Sequence, residues 1–204
     1  MKIKKILIIF LLSLIFTFII YKINYKKKIN VTLIGDNNIK SLSIENYISY
    51  LNKDSSIDKV NDIFTFDYKN YKNIKEDIKN NKYIYYKDKK IYLNQQLSDS
   101  EIIILNANND EYLSKCKKSN RILKEYNYKI YKDTKEVVEL INKISNSKII
   151  ILGNYCSNYN KEISNYLSFL YKDYNYINMY KLYNEYKDNN FEYQIYKRIK
   201  SQIG

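Results

Sequence analysis

Four residues of this chain stand where polar side chains can do chemistry: Asp36, Asn37, Asn109 and Asp110. Asp36 and Asn37 follow Gly35 at the end of the apolar run Val31–Ile34. Asn109 and Asp110 close the stretch Asn106-Ala107-Asn108-Asn109-Asp110 that follows Ile102–Leu105. Carboxylates and amides so placed can orient a polar ligand, and an amide can donate to an oxyanion. An amide is not a nucleophile for acyl transfer, so Asn37 offers no starting atom for a covalent mechanism. The chain also has no histidine. A base near neutral pH would have to be a carboxylate or a lysine with a strongly shifted pKa. Capping helices and closing turns is the simpler role for the same four residues. Ser41 and Ser43, the nearest hydroxyls, read as helix N-caps and exposed polar residues. Cys116 and Cys156 are too few for a disulfide framework and too isolated for a metal cluster; one bridge and two separate buried thiols both remain open. No metal or cofactor is expected.

The elements that must position these residues follow from hydrophobic periodicity. Val31–Ile34, Val60–Phe66, Glu101–Leu105, Lys148–Leu152 and Tyr176–Met179 read as strands. Ile102–Leu105 and Ile149–Leu152 are apolar without alternation, as strands buried on both faces should be. Between the strands the period becomes helical, with stripes at Ile44, Tyr47, Ile48, Leu51, at Val137, Leu140, Ile141, Ile144, and at Ile163, Tyr166, Leu167, Leu170. A last stripe runs through Phe191, Ile195, Ile199 and Ile203. Asp133-Thr134-Lys135-Glu136 reads as a capping box opening the second of these helices, and Tyr83–Leu93 as an extra hairpin or extended excursion. Such alternation predicts a doubly wound parallel sheet with helices on both faces. Ligands of such sheets bind beyond the carboxyl ends of the strands. The loops that matter therefore start at Gly35, Asp67, Asn106 and Gly153. Of three glycines, Gly35 and Gly153 both follow strands directly, where a positive φ or a close backbone approach is expected.

At these strand ends the sequence resembles a family. Val31-Thr32-Leu33-Ile34-Gly35-Asp36-Asn37-Asn38 is similar to the first block of the SGNH/GDSL hydrolases, where a strand ends in Gly-Asp-Ser. Ile102 to Asp110 resembles the third block, a strand followed by Gly-x-Asn-Asp. Ile149-Ile150-Ile151-Leu152-Gly153-Asn154-Tyr155 resembles the fourth strand and turn of the lipase/acylhydrolase branch. Glu192-Tyr193-Gln194-Ile195 is similar to the Gly-Tyr-x-x-Ile that follows the family's Asp-x-x-His. The ordered set spans nearly all of Val31 to Ile203.

The resemblance implies a three-layer, flavodoxin-like and SGNH-like fold over residues 30–204. It also implies a lost active site. The nucleophilic serine position falls on Asn37, and the oxyanion glycine of the second block falls near Lys69 or Asn70. Asn109 matches the third-block asparagine, with Ala107 in place of the preceding glycine. Asp188 aligns with the aspartate of Asp-x-x-His, and Phe191 takes the place of the base. Asp36, Asn37, Asn109 and Asp110 are then vestigial family-site positions, and the domain is a pseudoenzyme retained for binding or accessory work. The alternative is an active esterase on a lipid or acetylated glycan, working through a rearranged histidine-free site.

Composition adds location. Between Lys5 and Lys22 no residue is charged, and Ile6–Tyr21 is almost wholly Ile, Leu and Phe. Sixteen residues is short against the roughly 20 needed to span a bilayer, a gap that flanking lysines can cover by snorkelling. No small-x-small cleavage site follows, so residues 1–29 read as an uncleaved signal anchor with basic flanks. The basic charge of the two flanks is nearly equal; a short basic head favours the N-terminus inside and the rest of the chain outside. The net charge of +13 is concentrated here, because residues 1–29 hold seven lysines and no acid, leaving 28 basic and 22 acidic side chains. With only Arg121 and Arg198 as arginines, nucleic acid is excluded as the expected partner. The expected partners are membrane lipid, through the N-terminal helix, and an anionic or sugar-containing envelope polymer. Tyrosines dense over Tyr166–Tyr186 suit stacking on such a polymer, although packing at the core edge explains most of them.

Overall fold

A computed structural model describes residues 10–17, 29–35, 45–62, 70–86, 88–106, 114–115, 118–154, 160–186 and 190–203. Residues 10–17 are helical, and among the described residues no helix is long and apolar enough to cross a membrane. Half of the expected anchor, Ile6–Tyr21, lies outside them.

The strands are β1 (Ile29–Gly35), β2 (Ile57–Asp62), β3 (Tyr83–Tyr86), β4 (Lys89–Tyr92), β5 (Ile102–Asn106), β6 (Lys148–Leu152) and β7 (Asn175–Ile177). The helices are α1 (Glu45–Lys53), α2 (Tyr71–Lys79), α3 (Leu93–Ser98), α4 (Asn120–Ile144), α5 (Lys161–Leu170), α6 (Met179–Tyr186) and α7 (Phe191–Ile203). Five strands form one sheet in the order β2-β1-β5-β6-β7, every pair parallel. With the β3–β4 hairpin set aside, this is the 2-1-3-4-5 order of a flavodoxin-like doubly wound sheet. The expected α/β class and parallel sheet are both present.

Side chains alternate across the sheet and divide the core in two. Ile34, Ile103, Leu105, Ile149 and Ile151 face α2, α3, α4 and α5, whose buried residues include Ile74, Leu97, Val137, Ile141 and Ile163. Val31, Leu33, Ile102, Ile104, Ile150 and Leu152 face α1, α6 and α7 through Tyr47, Leu51, Leu182, Ile195 and Ile199. The continuous apolar runs of β5 and β6 exist because both faces of these strands are covered.

Three expectations shift. The second strand is Ile57–Asp62 rather than Val60–Phe66, and residues 63–69 lie outside the described residues. The last strand ends at Ile177, because Asn178 caps α6 by accepting the Lys181 N–H at 3.1 Å and Met179 is already helical. The Asp133–Glu136 capping box does not exist. Helix α4 starts thirteen residues earlier at Asn120 and runs unbroken through Thr134, whose hydroxyl donates to the Ile130 carbonyl at 2.8 Å. The excursion after α2 is a true antiparallel hairpin, β3 paired with β4, with Asp88 at its tip in the left-handed region at φ 60°.

Candidate functional site

In a doubly wound sheet the crevice opens where the winding direction reverses, which here is between β1 and β5. Gly35 and Asn106 are register partners at the carboxyl ends of these two strands. Two of the four loops singled out by the sequence therefore start side by side at the switch point. The four residues expected to line it, Asp36, Asn37, Asn109 and Asp110, lie outside the described residues, as do Asp188, Cys116 and Cys156.

The described rim of this edge is closed by hydrogen bonds. Asn106 is 3 % exposed, and its Nδ2 donates to the Leu152 carbonyl at 3.0 Å, tying the end of β5 to the end of β6. The Gly153 N–H then donates to the Ile177 carbonyl at 3.0 Å, tying β6 to β7. Neither Gly35 nor Gly153 has a positive φ, so of the two reasons for glycine, conformational freedom is not the one at work. Close approach is the reason at Gly153: a β-carbon there would lie 2.8 Å from Cζ of Tyr176. That ring is stacked on Tyr171 at 4.5 Å and 11°. Beneath it a void of about 10 Å³ separates Asn127, Leu152, Gly153, Tyr171 and Tyr176, room for at most one water.

Around the crevice the remaining family-like positions are structural. Asn70 is the N-cap of α2, its Oδ1 accepting from the Asn73 N–H at 2.9 Å. Phe191 opens α7, is 8 % exposed and meets Tyr183 edge-to-face at 5.3 Å. An aromatic residue packed in this way neither takes nor gives a proton. Asn160 caps α5 at the same edge, accepting from Ile163 N–H at 3.1 Å. Among the described residues no group of three or more His, Cys, Asp or Glu could hold a metal ion.

The tyrosines of the 166–186 stretch largely pack. Tyr171 is 5 % exposed and also meets Tyr131 edge-to-face at 5.2 Å. Burial raises the Tyr174 hydroxyl above its ordinary range, helped by Tyr131 and by the charges of Glu139 and Asp173. A groove of about 340 Å³ does run along β7, with Tyr174 and Tyr176 on its wall and Lys172, Lys181, Arg198 and Glu185 at its lip.

One cluster escaped the sequence. At the opposite, amino edge, the Asp54 carboxylate accepts from Ser56 Oγ at 2.6 Å, from Tyr196 Oη at 2.8 Å and from Lys200 Nζ at 2.6 Å. Lys200 also donates to Ser56 Oγ. Burial would raise the Asp54 carboxyl, but the hydrogen bonds from Lys200, Ser56 and Tyr196 outweigh it and hold the group well below the usual carboxylate range. Tyr196 is pushed up to about 12, first by burial and then by its bond to Asp54. A serine beside a lysine suggests a dyad, yet the Ser56 hydroxyl already donates to Asp54 and Lys200 is engaged by the same carboxylate, so the hydrogen bonds of the cluster close on themselves. The cluster is a strut joining the α1–β2 turn to α7. No sequence signal could have found it, because Asp54 and Lys200 are joined only by the fold.

Compared with known proteins, the chain matches no protein-family model, no curated protein and no solved structure.

Proposed function

We propose that this chain is a membrane-anchored α/β domain at a bacterial cell envelope, and that it binds or assists at its switch-point edge without catalysing a reaction there. The observation that carries this reading is the register pairing of Gly35 with Asn106 at the switch point of a chain that contains no histidine. The pairing brings the carboxyl ends of β1 and β5 together where doubly wound sheets bind ligands, and Asp36-Asn37 and Asn109-Asp110 follow these two strands in the sequence. Lack of a hydroxyl at position 37 and of an imidazole anywhere removes the usual nucleophile and base. On this reading the chain descends from SGNH/GDSL-type hydrolases, with Asp36, Asn37, Asn109 and Asp110 as remnants of their site. The anchor is the apolar segment Ile6–Tyr21, and the domain lies on the extracellular side of the membrane. An anionic or sugar-containing envelope polymer is its partner.

Esterase assays on the full chain in detergent, with a chromogenic acetate ester and with acetylated glycans, test the first half. No turnover above buffer is expected. Hydrolysis that disappears in Asp36→Ala or Asn109→Ala would establish an active, histidine-free esterase instead. Protease added to intact cells tests the second half, and a domain that stays protected would overturn the envelope role.

A further inference from the structure

The position of β1 decides which end of the domain can meet the membrane. Strand β1 is next to the centre of the sheet and starts at Ile29, eight residues after Tyr21. A chain of that length reaches at most about 25–29 Å. It enters the sheet at its amino edge, and β1 itself then runs about 23 Å to the carboxyl edge. A domain of this size has a radius of gyration of about 16 Å, hence a path of about 60 Å around its outside from one edge to the other. The tether is too short by a factor of about two to present the carboxyl edge to the bilayer while β1 stays paired. Resting on the anchor proposed above, this geometry turns the amino edge toward the lipid.

That edge has the surface for it. Because every strand of the sheet is parallel, the long helices all end there, and α1, α2, α4 and α7 carry Lys53, Lys79, Lys143 and Lys200 in their last turns. Asp54 and Asp77 are already paired with Lys200 at 2.6 Å and Lys82 at 2.8 Å. The Glu101 carboxylate is engaged by the Asn30 N–H at 2.7 Å. Among the described residues no acid lies within ion-pair distance of Lys53, Lys79 or Lys143, and Lys79 acts on Glu136 only through space. A lysine in a last turn also complements the helix dipole, so the lysines alone would not identify a lipid face.

The β3–β4 hairpin supplies the independent observation. It is rooted at the same edge: Lys82 N–H donates to the Asp77 carbonyl and Leu93 N–H to the Lys82 carbonyl, both at 2.9 Å, and Asn94 Nδ2 donates to the Ile78 carbonyl at 3.1 Å. On one face it exposes Tyr83, Tyr85 and Tyr92, at 45 %, 70 % and 37 %. The Lys90 ammonium lies 3.8 Å from the centre of the Tyr83 ring and 4.9 Å from that of Tyr92. Tyrosine beside lysine is the pairing that suits a bilayer interface, with the ring at the headgroup level and the ammonium at the phosphates. Apart from Lys90 and one another, these rings meet no aromatic or cationic partner among the described residues.

We infer that the amino edge, comprising the lysine-bearing helix ends and the Tyr83–Tyr85–Tyr92 face of the hairpin, rests on the anionic lipid surface of the membrane that holds the anchor. The switch-point edge then faces away from that bilayer, and its ligand comes from the aqueous or polymeric side rather than from the lipid of that membrane.

The test uses the full chain reconstituted into vesicles of phosphatidylglycerol and phosphatidylcholine. A photoreactive side chain replaces either Tyr85 at the hairpin or Lys161 at the start of α5 on the carboxyl edge, both exposed. Cross-linking to lipid at position 85 should exceed that at position 161 by ten-fold or more. It should drop at least three-fold in pure phosphatidylcholine and in the Lys53→Gln/Lys143→Gln chain. Vesicle co-flotation is read in parallel. If the chain does not float, the anchor reading fails and this inference falls with it. If it floats with equal or reversed cross-linking, the anchor stands and the face assignment is overturned. Cross-linking at position 85 that ignores lipid charge overturns the electrostatic part.

Discussion

The Tyr176 phenol covers Gly153, its Cζ only 2.8 Å from the point a β-carbon on that glycine would occupy. The ring does not move alone, because Tyr171 stacks on it at 4.5 Å. Gly153→Ala is therefore expected to destabilise the fold by about 1–3 kcal/mol, the usual magnitude for overpacking. Urea unfolding measures it, and relief by a further Tyr176→Ser change would assign the loss to this contact.

Asn106 closes the rim between β5 and β6 through the Leu152 carbonyl. Asn106→Leu keeps the volume but leaves that buried carbonyl without this donor, at a cost of about 1–3 kcal/mol. The measurement is the urea midpoint; an unchanged midpoint would show that the amide does not hold the sheet edge.

The Asp54 strut makes stability depend on pH in a defined direction. Its folded pKa is depressed, so its contribution is complete above the unfolded carboxylate value, near 3.9, and disappears as pH falls below about 4. Asp54→Asn should lose about 1.5–3 kcal/mol at pH 7, and the gap to the natural chain should narrow as the pH falls below 4. For Tyr196 the sign is opposite: its folded value near 12 exceeds the unfolded value of about 10, so its contribution is complete below pH 10 and is lost between 10 and 12. Thermal melts across these two windows check both.

On the proposed function, Asp36→Ala and Asn109→Ala are expected to leave ester hydrolysis at the buffer level. Any binding of an envelope polymer that is retained by the natural chain should weaken in both. Sedimentation with isolated cell-wall fragments reads that difference, and equal sedimentation would remove these residues from the site.

The central strands were legible because burial on both faces leaves a continuous apolar run, and β6 occupies the expected residues Lys148–Leu152. The edge strands were legible only in part, their bounds shifting. Strand β2 has one neighbour and reads Ile57-Asp58-Lys59-Val60, so the more apolar Ile63, Phe64 and Phe66 drew the expectation downstream. The first half of α4 was hidden by Asn127 and Thr134, polar residues inside its buried stripe. Both are satisfied within the helix, Asn127 Nδ2 donating to the Leu123 carbonyl at 2.7 Å and Thr134 to Ile130. A polar residue that bonds its own preceding turn interrupts the sequence pattern without interrupting the helix. Of the candidate site, Gly35 and Asn106 were correctly placed at one edge, since strand ends follow from the pattern; the Asp54 strut joins residues whose meeting no local pattern encodes.

The two outermost strands have one more consequence. Strand β7 is three residues long, and β2 exposes Asp58 and Lys59. Among the described residues neither margin offers a long, apolar row of backbone groups onto which another chain could add a strand. On the proposed function, copies of the domain share a membrane surface, where they meet one another far more often than in free solution. Blunt margins of this kind let many copies crowd side by side without zipping into a common sheet.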